Sequence, residues 1–174
     1  MISSRMVVHA DIFSDTHRVS GRIVCGPSGL IGLLNDINNS LIEIEDAYFS
    51  RLQEPAKITS HLDLAHFAKA HLVLVVLARR EDLGPHGLAT GGFSRRIPMP
   101  AILSTASFEV QGTLEVVNKF DAAELLVGGT GRFVQVYSAA AVSTTYPATS
   151  FSGAAILVNR QRIEMVAPAP RGKS

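Results

Sequence analysis

Asp15-Thr16-His17 puts a carboxylate, a hydroxyl and an imidazole side by side, which is raw material for acid–base chemistry. Such a set acts only where nucleophile, base and orienting group meet in space. A related stretch recurs 91 residues later, with Ala106 in place of Asp15 and Phe108 in place of His17. A fold that accepts both versions does not depend on the pair, so Asp15 is expected to cap a turn. His61, His66 and His71 stand five apart. Five steps along a strand reverse the face, and five along a helix turn away from the starting side, so the three do not converge on one ion. Neither a second cysteine nor a close carboxylate pair completes a metal site. Gly128-Gly129-Thr130-Gly131 has the composition of a phosphate loop. It follows a helical pattern instead of opening one, and no Gly-Lys-Ser/Thr is present, so a helix C-cap is the expected role. The expectation is a non-enzymatic chain with no catalytic, metal or cofactor residues.

The composition points the same way. Apolar residues make up 47% of the 174 and charged residues only 18%, against about a quarter charged in ordinary soluble domains. Little polar material is left to cover a surface, which suggests apolar area covered by a second copy or a partner. The net charge of +1 gives no case for nucleic acid or an anionic membrane. Residues 1–84 are net −2 and residues 85–174 net +3, a small asymmetry that would help one half dock on the other half of a second molecule. The single Cys25 makes no internal disulfide and no Cys-x-x-Cys motif. Asn38-Asn39-Ser40 fits a glycosylation sequon, which matters only on a secretory route. Met1-Ile2-Ser3-Ser4-Arg5 opens no apolar signal core, and the longest apolar run, Leu72 to Ala78, is strand-sized and far short of a membrane helix. A cytoplasmic protein without membrane insertion is expected.

The elements follow from periodicity. Val19, Gly21 and Ile23 alternate with Arg18, Ser20 and Arg22, the period of two of a half-buried strand. Gly21 inside that strand predicts a bend or a close backbone approach. Leu30, Ile31, Leu33, Leu34 and Ile37 recur at helical spacing behind Ser28, a candidate N-cap. Strands are then expected over Ser40–Tyr48, Ile58–Phe67 and His71–Ala78, the last with a Leu72–Leu77 run apolar on both faces. The stretch 81–96, with Gly84, Pro85, Gly87, Gly91 and Gly92, reads as a linker.

The pattern then restarts. Met99, Ala101 and Leu103 echo Val8, Ala10 and Ile12, and Val110-Gln111-Gly112 echoes Val19-Ser20-Gly21. Asp121 and Glu124 form a capping box before a second short helix. The match runs at a shift of 91 residues, moves to 92 in the middle strands and returns, which predicts a β-bulge in the first copy around His61 to Phe67. The predicted organisation is a first β-barrel repeat over 1–80, a linker over 81–96, a second repeat over 97–167 and a disordered tail over 168–174. The fold class is mainly β: two tandem five-stranded barrels, each with one short helix after its second strand.

Five strands with a bent second strand resemble the small Sm-like or SH3-like barrel. Asp15-Thr16-His17-Arg18-Val19-x-Gly21, Leu30-x-x-Leu33-Leu34-Asn35, a strand ending in Asp46-Ala47, and Phe67-x-x-x-His71-Leu72-Val73-Leu74 are similar to a bacterial domain family of unknown function. That resemblance covers most of the first repeat and implies no activity. The Sm-like comparison implies an RNA site from an Asp and an Asn around the third strand and an Arg-Gly pair in the last turn. Asn38 or Asn39 and Asp46 match in the first copy. Lys69-Ala70 and Arg160-Gln161 lack the glycine, and Ser138 and Ala139 stand where the second copy needs an acid. Aromatic and basic residues are not interleaved for base stacking.

The leading expectation is therefore an interaction or assembly protein, working by self-association or as an accessory subunit. Its possible interaction surface comprises Val73 and Val75, on a strand too apolar for one thin layer, and the paired charges Arg79, Arg80, Arg95 and Arg96. An Sm-like nucleic-acid-binding regulator is the alternative. A small-molecule sensor with its ligand between the repeats is a weaker one.

Overall fold

The computed structural model describes residues 5–85, 95–129 and 131–170. Alternating side chains fold as strands throughout. β1 (Met6–Phe13), β2 (His17–Cys25), β3 (Leu41–Arg51), β4 (Ile58–Ala68) and β5 (Leu74–Leu77) form a first run. β6 (Arg96–Thr105), β7 (Phe108–Val117), β8 (Phe133–Ser143), β9 (Ser150–Asn159) and β10 (Ile163–Pro168) form a second. Helix α1 (Gly29–Asn35) follows β2, and a π-helical turn (Glu124–Gly128) follows β7. The expectation of a mainly β chain with one short helical element after each second strand is met.

The strands do not close into two separate barrels. They join one open antiparallel sheet in the order β10-β6-β7-β8-β9-β5-β1-β2-β3-β4. β5 is the reason. Its edge carries no charge, proline or bulge to blunt it, and a bare apolar edge is a liability unless something pairs with it. β5 pairs with β1 on one side and with β9 of the second run on the other.

The two runs share more than strand order. Ile12 faces Val75, and 91 residues on, Leu103 faces Val166. Ala10 faces Gly21, and Ala101 faces Gly112. Ser20 faces Tyr48 and Gln111 faces Ala140, so the third strands are displaced by 92. The extra residue that restores 91 lies between Ile58 and Ser60, opposite Phe49 and Ser50. The bulge therefore sits at Thr59, just before the predicted window, and His61 to Phe67 pair regularly.

Burial explains the joint. Alternation along β5 sends Val75 and Leu77 into a first core with Val8, Ile12, Ile23, Leu34 and Ile44. That core also takes Phe133, Tyr137, Ala155 and Leu157 from the second run. Val73, Leu74 and Val76 enter a second core with Leu103, Phe108, Val110, Val136 and Ile156, joined there by Phe13. Each core borrows side chains from the other run.

Two glycines let the third strands cross close over the second. A Cβ on Gly21 would stand 2.5 Å from Ile44 Cγ2 and 2.8 Å from the Glu45 carbonyl oxygen. One on Gly112 would stand 2.7 Å from Ala139 Cβ and 2.8 Å from the Tyr137 oxygen. Both ladders slip beside these glycines, and Asp46 and Ser138 take up the slip with φ of 52° and 45°.

The short helical elements are held from the sheet. Lys69, only 2% exposed, donates from Nζ to the carbonyls of Leu33 and Asp36, at 2.6 and 3.0 Å. Arg160, its counterpart 91 residues on, donates to the carbonyls of Leu125 and Glu124. Each cation thus satisfies carbonyls of the helical element in its own run. Asp121 Oδ1 accepts from the Glu124 amide at 3.1 Å, as its capping pattern predicts. Ser28 stands at the N-cap of α1 but makes no side-chain cap bond. Gly29 fixes that end instead, with φ at +69° and room for a Cβ closed off by Gly84 at 2.6 Å.

The expected linker is partly structured. Leu83 is buried in the first core and Arg96 opens β6, while residues 86–94 lie outside the described residues. Of the expected tail, Pro168 still belongs to β10 and 171–174 lie outside the described residues. Among the described residues no helix is long and apolar enough to cross a membrane.

Candidate interaction site

The residues singled out from sequence do not form one surface. Val73 and Val75 are fully buried inside the chain. Val75 points into the first core and Val73 into the second, so the apolar run is covered by the second run of the same chain. Arg79 pairs with Asp82 at 2.7 Å. Arg80 pairs with Glu115 at 2.7 Å and lays its guanidinium 3.8 Å from the centroid of the Tyr137 ring. Arg96 reaches the same Glu115 at 3.7 Å, and Arg95 is exposed. Arg80 thus reaches across to the second run, while Arg96 pairs with Glu115 within it, each with the modest energy of a part-exposed pair.

Asp15 does not cap its turn. Ser14 Oγ does, accepting from the amides of Thr16 and His17 at 3.3 and 3.1 Å. Asp15 reaches across to the second run, where it accepts from the Ser107 hydroxyl and the Arg162 guanidinium. His17 hydrogen bonds Thr16 at 2.7 Å and stacks on Phe49. Burial disfavours the Asp15 carboxylate, and the bonds from Ser107 and Arg162 outweigh it, holding the carboxyl below its ordinary value. A depressed carboxyl adds stability that is present above its unfolded value and lost as pH falls through the folded one. Asp15→Asn is accordingly expected to lower the melting temperature at pH 7, with the gap to wild type closing as pH drops below the ordinary carboxylate range. A gap that is constant down to strong acid would show that the charge of Asp15 does not tie the runs.

The histidines serve separate partners. His61 Nε2 lies 2.5 Å from Asp46 Oδ1 and the ring stacks on Tyr48, while His66 pairs with Glu43 at 3.4 Å. Among the described residues no cluster of three metal-ligating side chains forms. Cys25 is buried, and desolvation with the nearby Asp82 charge pushes its thiol up to about 11, so it stays protonated at neutral pH.

Among the described residues, the sheet leaves its two ends open, β4 and β10. The Lys69 amide donates to Ser40, so by alternation Ala68, His66, Leu64 and Leu62 turn their backbone polar groups away from β3. The Ala169 amide donates to Pro100, so Pro168 and Val166 turn theirs away from β6, as far as the bulge between Ile163 and Met165. Large apolar side chains lie along these edges: Ile58, Leu62 and Leu64 on β4, and Met165 on β10. Both edges are also partly blunted, by His61, Asp63 and His66 on one and by Glu164 and Pro168 on the other. Sequence reasoning missed these edges because it looked for the contact at the fifth strand of the first run, a strand too apolar for one thin layer. Only the pairing of β5 with β9 reveals which strands remain. Comparison with protein-family models, curated proteins and solved structures gives no match.

Proposed function

We propose that this chain is a non-enzymatic assembly protein that makes contacts by strand addition at β4 and β10, through self-association or as an accessory subunit. The observation that carries this reading is the joint between the runs. There β9 adds to β5 and buries a wholly apolar edge, so strand addition is the contact mode the chain already uses on itself. We read each run as a small barrel unit, repeated in tandem and left open between its fourth and fifth strands. The side chains that chemistry would recruit are engaged in structural roles: Asp15 with Ser107 and Arg162, His61 with Asp46, and Cys25 within a core.

A photo-crosslinking amino acid placed at Leu64, at Met165 or at Ile37 tests this in the native cell. Ile37 is exposed and lies off both edges. Protein adducts are expected at the first two sites and only background at the third. Edge sites that crosslink no more than Ile37 would refute the reading.

A further inference from the structure

We infer that copies of this chain join head to tail, with β4 of one adding to β10 of the next in the register of the internal joint. The inference rests on the edge-addition reading above and names its partner.

The joint supplies the template. Leu74 faces Val158, Val75 faces Leu157 and Val76 faces Ile156. The Asn159 amide donates to Val73, so Leu157 and Val75 are also a hydrogen-bonded pair by alternation. β10 holds the place of β5 in the second run, as the Ile12–Val75 and Leu103–Val166 pairs show. β4 holds the place of β9 in the first, as the Ala47–Leu62 and Ala139–Gly153 pairs show. The same contact between two copies therefore sets Met165 opposite Phe67, Val166 opposite His66 and Ala167 opposite Ala65. Val166 and His66 are residues whose backbone groups point off the edges, so the template and the free donors and acceptors agree.

The side chains agree as well. In the joint, Leu74 leaves its own run to cover the second core, and Ala155 leaves its own to cover the first; both are 0% exposed. Met165 and Leu64 hold those two positions at the free edges, where they are 50% and 47% exposed. A head-to-tail contact brings the net −2 half of one copy to the net +3 half of the next, whereas a symmetric contact would bring like halves together. The ladder is shorter than the internal one. Pro168 has no N–H to offer, and Leu62 replaces Gly153, whose missing side chain admits the Leu77 carbonyl in the joint. The contact between copies is thus weaker than the joint and depends on concentration. Because it uses two different patches it repeats, giving a ring where the rotation closes and a filament where it does not.

Light scattering on the purified chain across a concentration series, together with oxidation of the Phe67→Cys/Met165→Cys variant, tests the inference. Met165 and Phe67 would form a non-hydrogen-bonded pair, with Cα atoms about 4.5 Å apart, inside the range a disulfide bridges. The buried, protonated Cys25 does not compete. Masses at multiples of the chain are expected, with a ladder of covalent multimers from the cysteine pair and none from Ser60→Cys/Met165→Cys. Met165→Lys and Leu64→Lys should each return the mass to that of the monomer, and as exposed sites they leave folding intact. A monomer at every concentration, or a Leu64→Cys single variant that alone forms a dimer, overturns head-to-tail addition. If the edge crosslinks in cells persist in either case, strand addition at the edges stands with a different occupant; if they vanish too, both readings fall.

Discussion

Val75→Lys is expected to cost roughly 3–5 kcal/mol, the range for an uncompensated charge left in a protein interior. Val75 is 0% exposed, faces Ile12 on one neighbouring strand and Leu157 on the other, and shares its core with Leu77 and Ile44. An ammonium there has strands on both sides and a packed core above it, so the longer stem finds no route to water. Domains of this kind hold a total stability of about 5–15 kcal/mol, so one such change removes a large part of it. Val73→Lys should do the same from the opposite core. Val7→Lys, on the outward face of β1, is the control and should stay within about 0.5 kcal/mol. Denaturant titration decides it. A Val75 variant whose midpoint matches wild type would mean that β5 is not sealed between the runs.

Gly21→Val and Gly112→Val are expected to be nearly as damaging, at about 3 kcal/mol or somewhat more, the upper end for overpacking. Each new Cβ would meet a carbonyl oxygen at 2.8 Å, and backbone in a paired strand cannot turn aside as a side-chain tip can. Gly26→Val meets nothing within 4 Å and should be mild. Calorimetry that ranks Gly26→Val with the other two would refute the close crossing of the strands.

The sequence reveals the local order and conceals the long-range order. Period-two alternation marked strands of the first run, and the recurrence of Gly21 as Gly112 disclosed a second run with the same bend, because both signals are read over a few residues. The two-face burial of Leu72–Leu77 was legible for the same reason. Its partner was not, because Leu157 lies 82 positions from Val75 and alternation alone gives a strand no address. The roles of Lys69 and Asp15 were hidden similarly: a lysine in a turn reads as solvated until the helix carbonyls above it are in place, and an aspartate in a turn reads as a cap until Arg162 arrives from the far run.

The sharing of β5 has a consequence for how the protein is made. Synthesis runs from the N-terminus, so the first run and its fifth strand leave the ribosome before any of β9 exists. At about 5–20 residues per second, the roughly 80 residues still to come leave the Leu74–Leu77 edge bare for on the order of 4–16 s. Hairpins and small sheets form in far less time than that. The nascent chain therefore spends its most hazardous interval with its most apolar edge unpaired. On a crowded polysome, the fourth strand of a neighbouring nascent chain is a ready substitute for β9. Slowed translation of residues 86–150 should raise the yield of strand-exchanged and aggregated product without altering a single contact in the finished molecule.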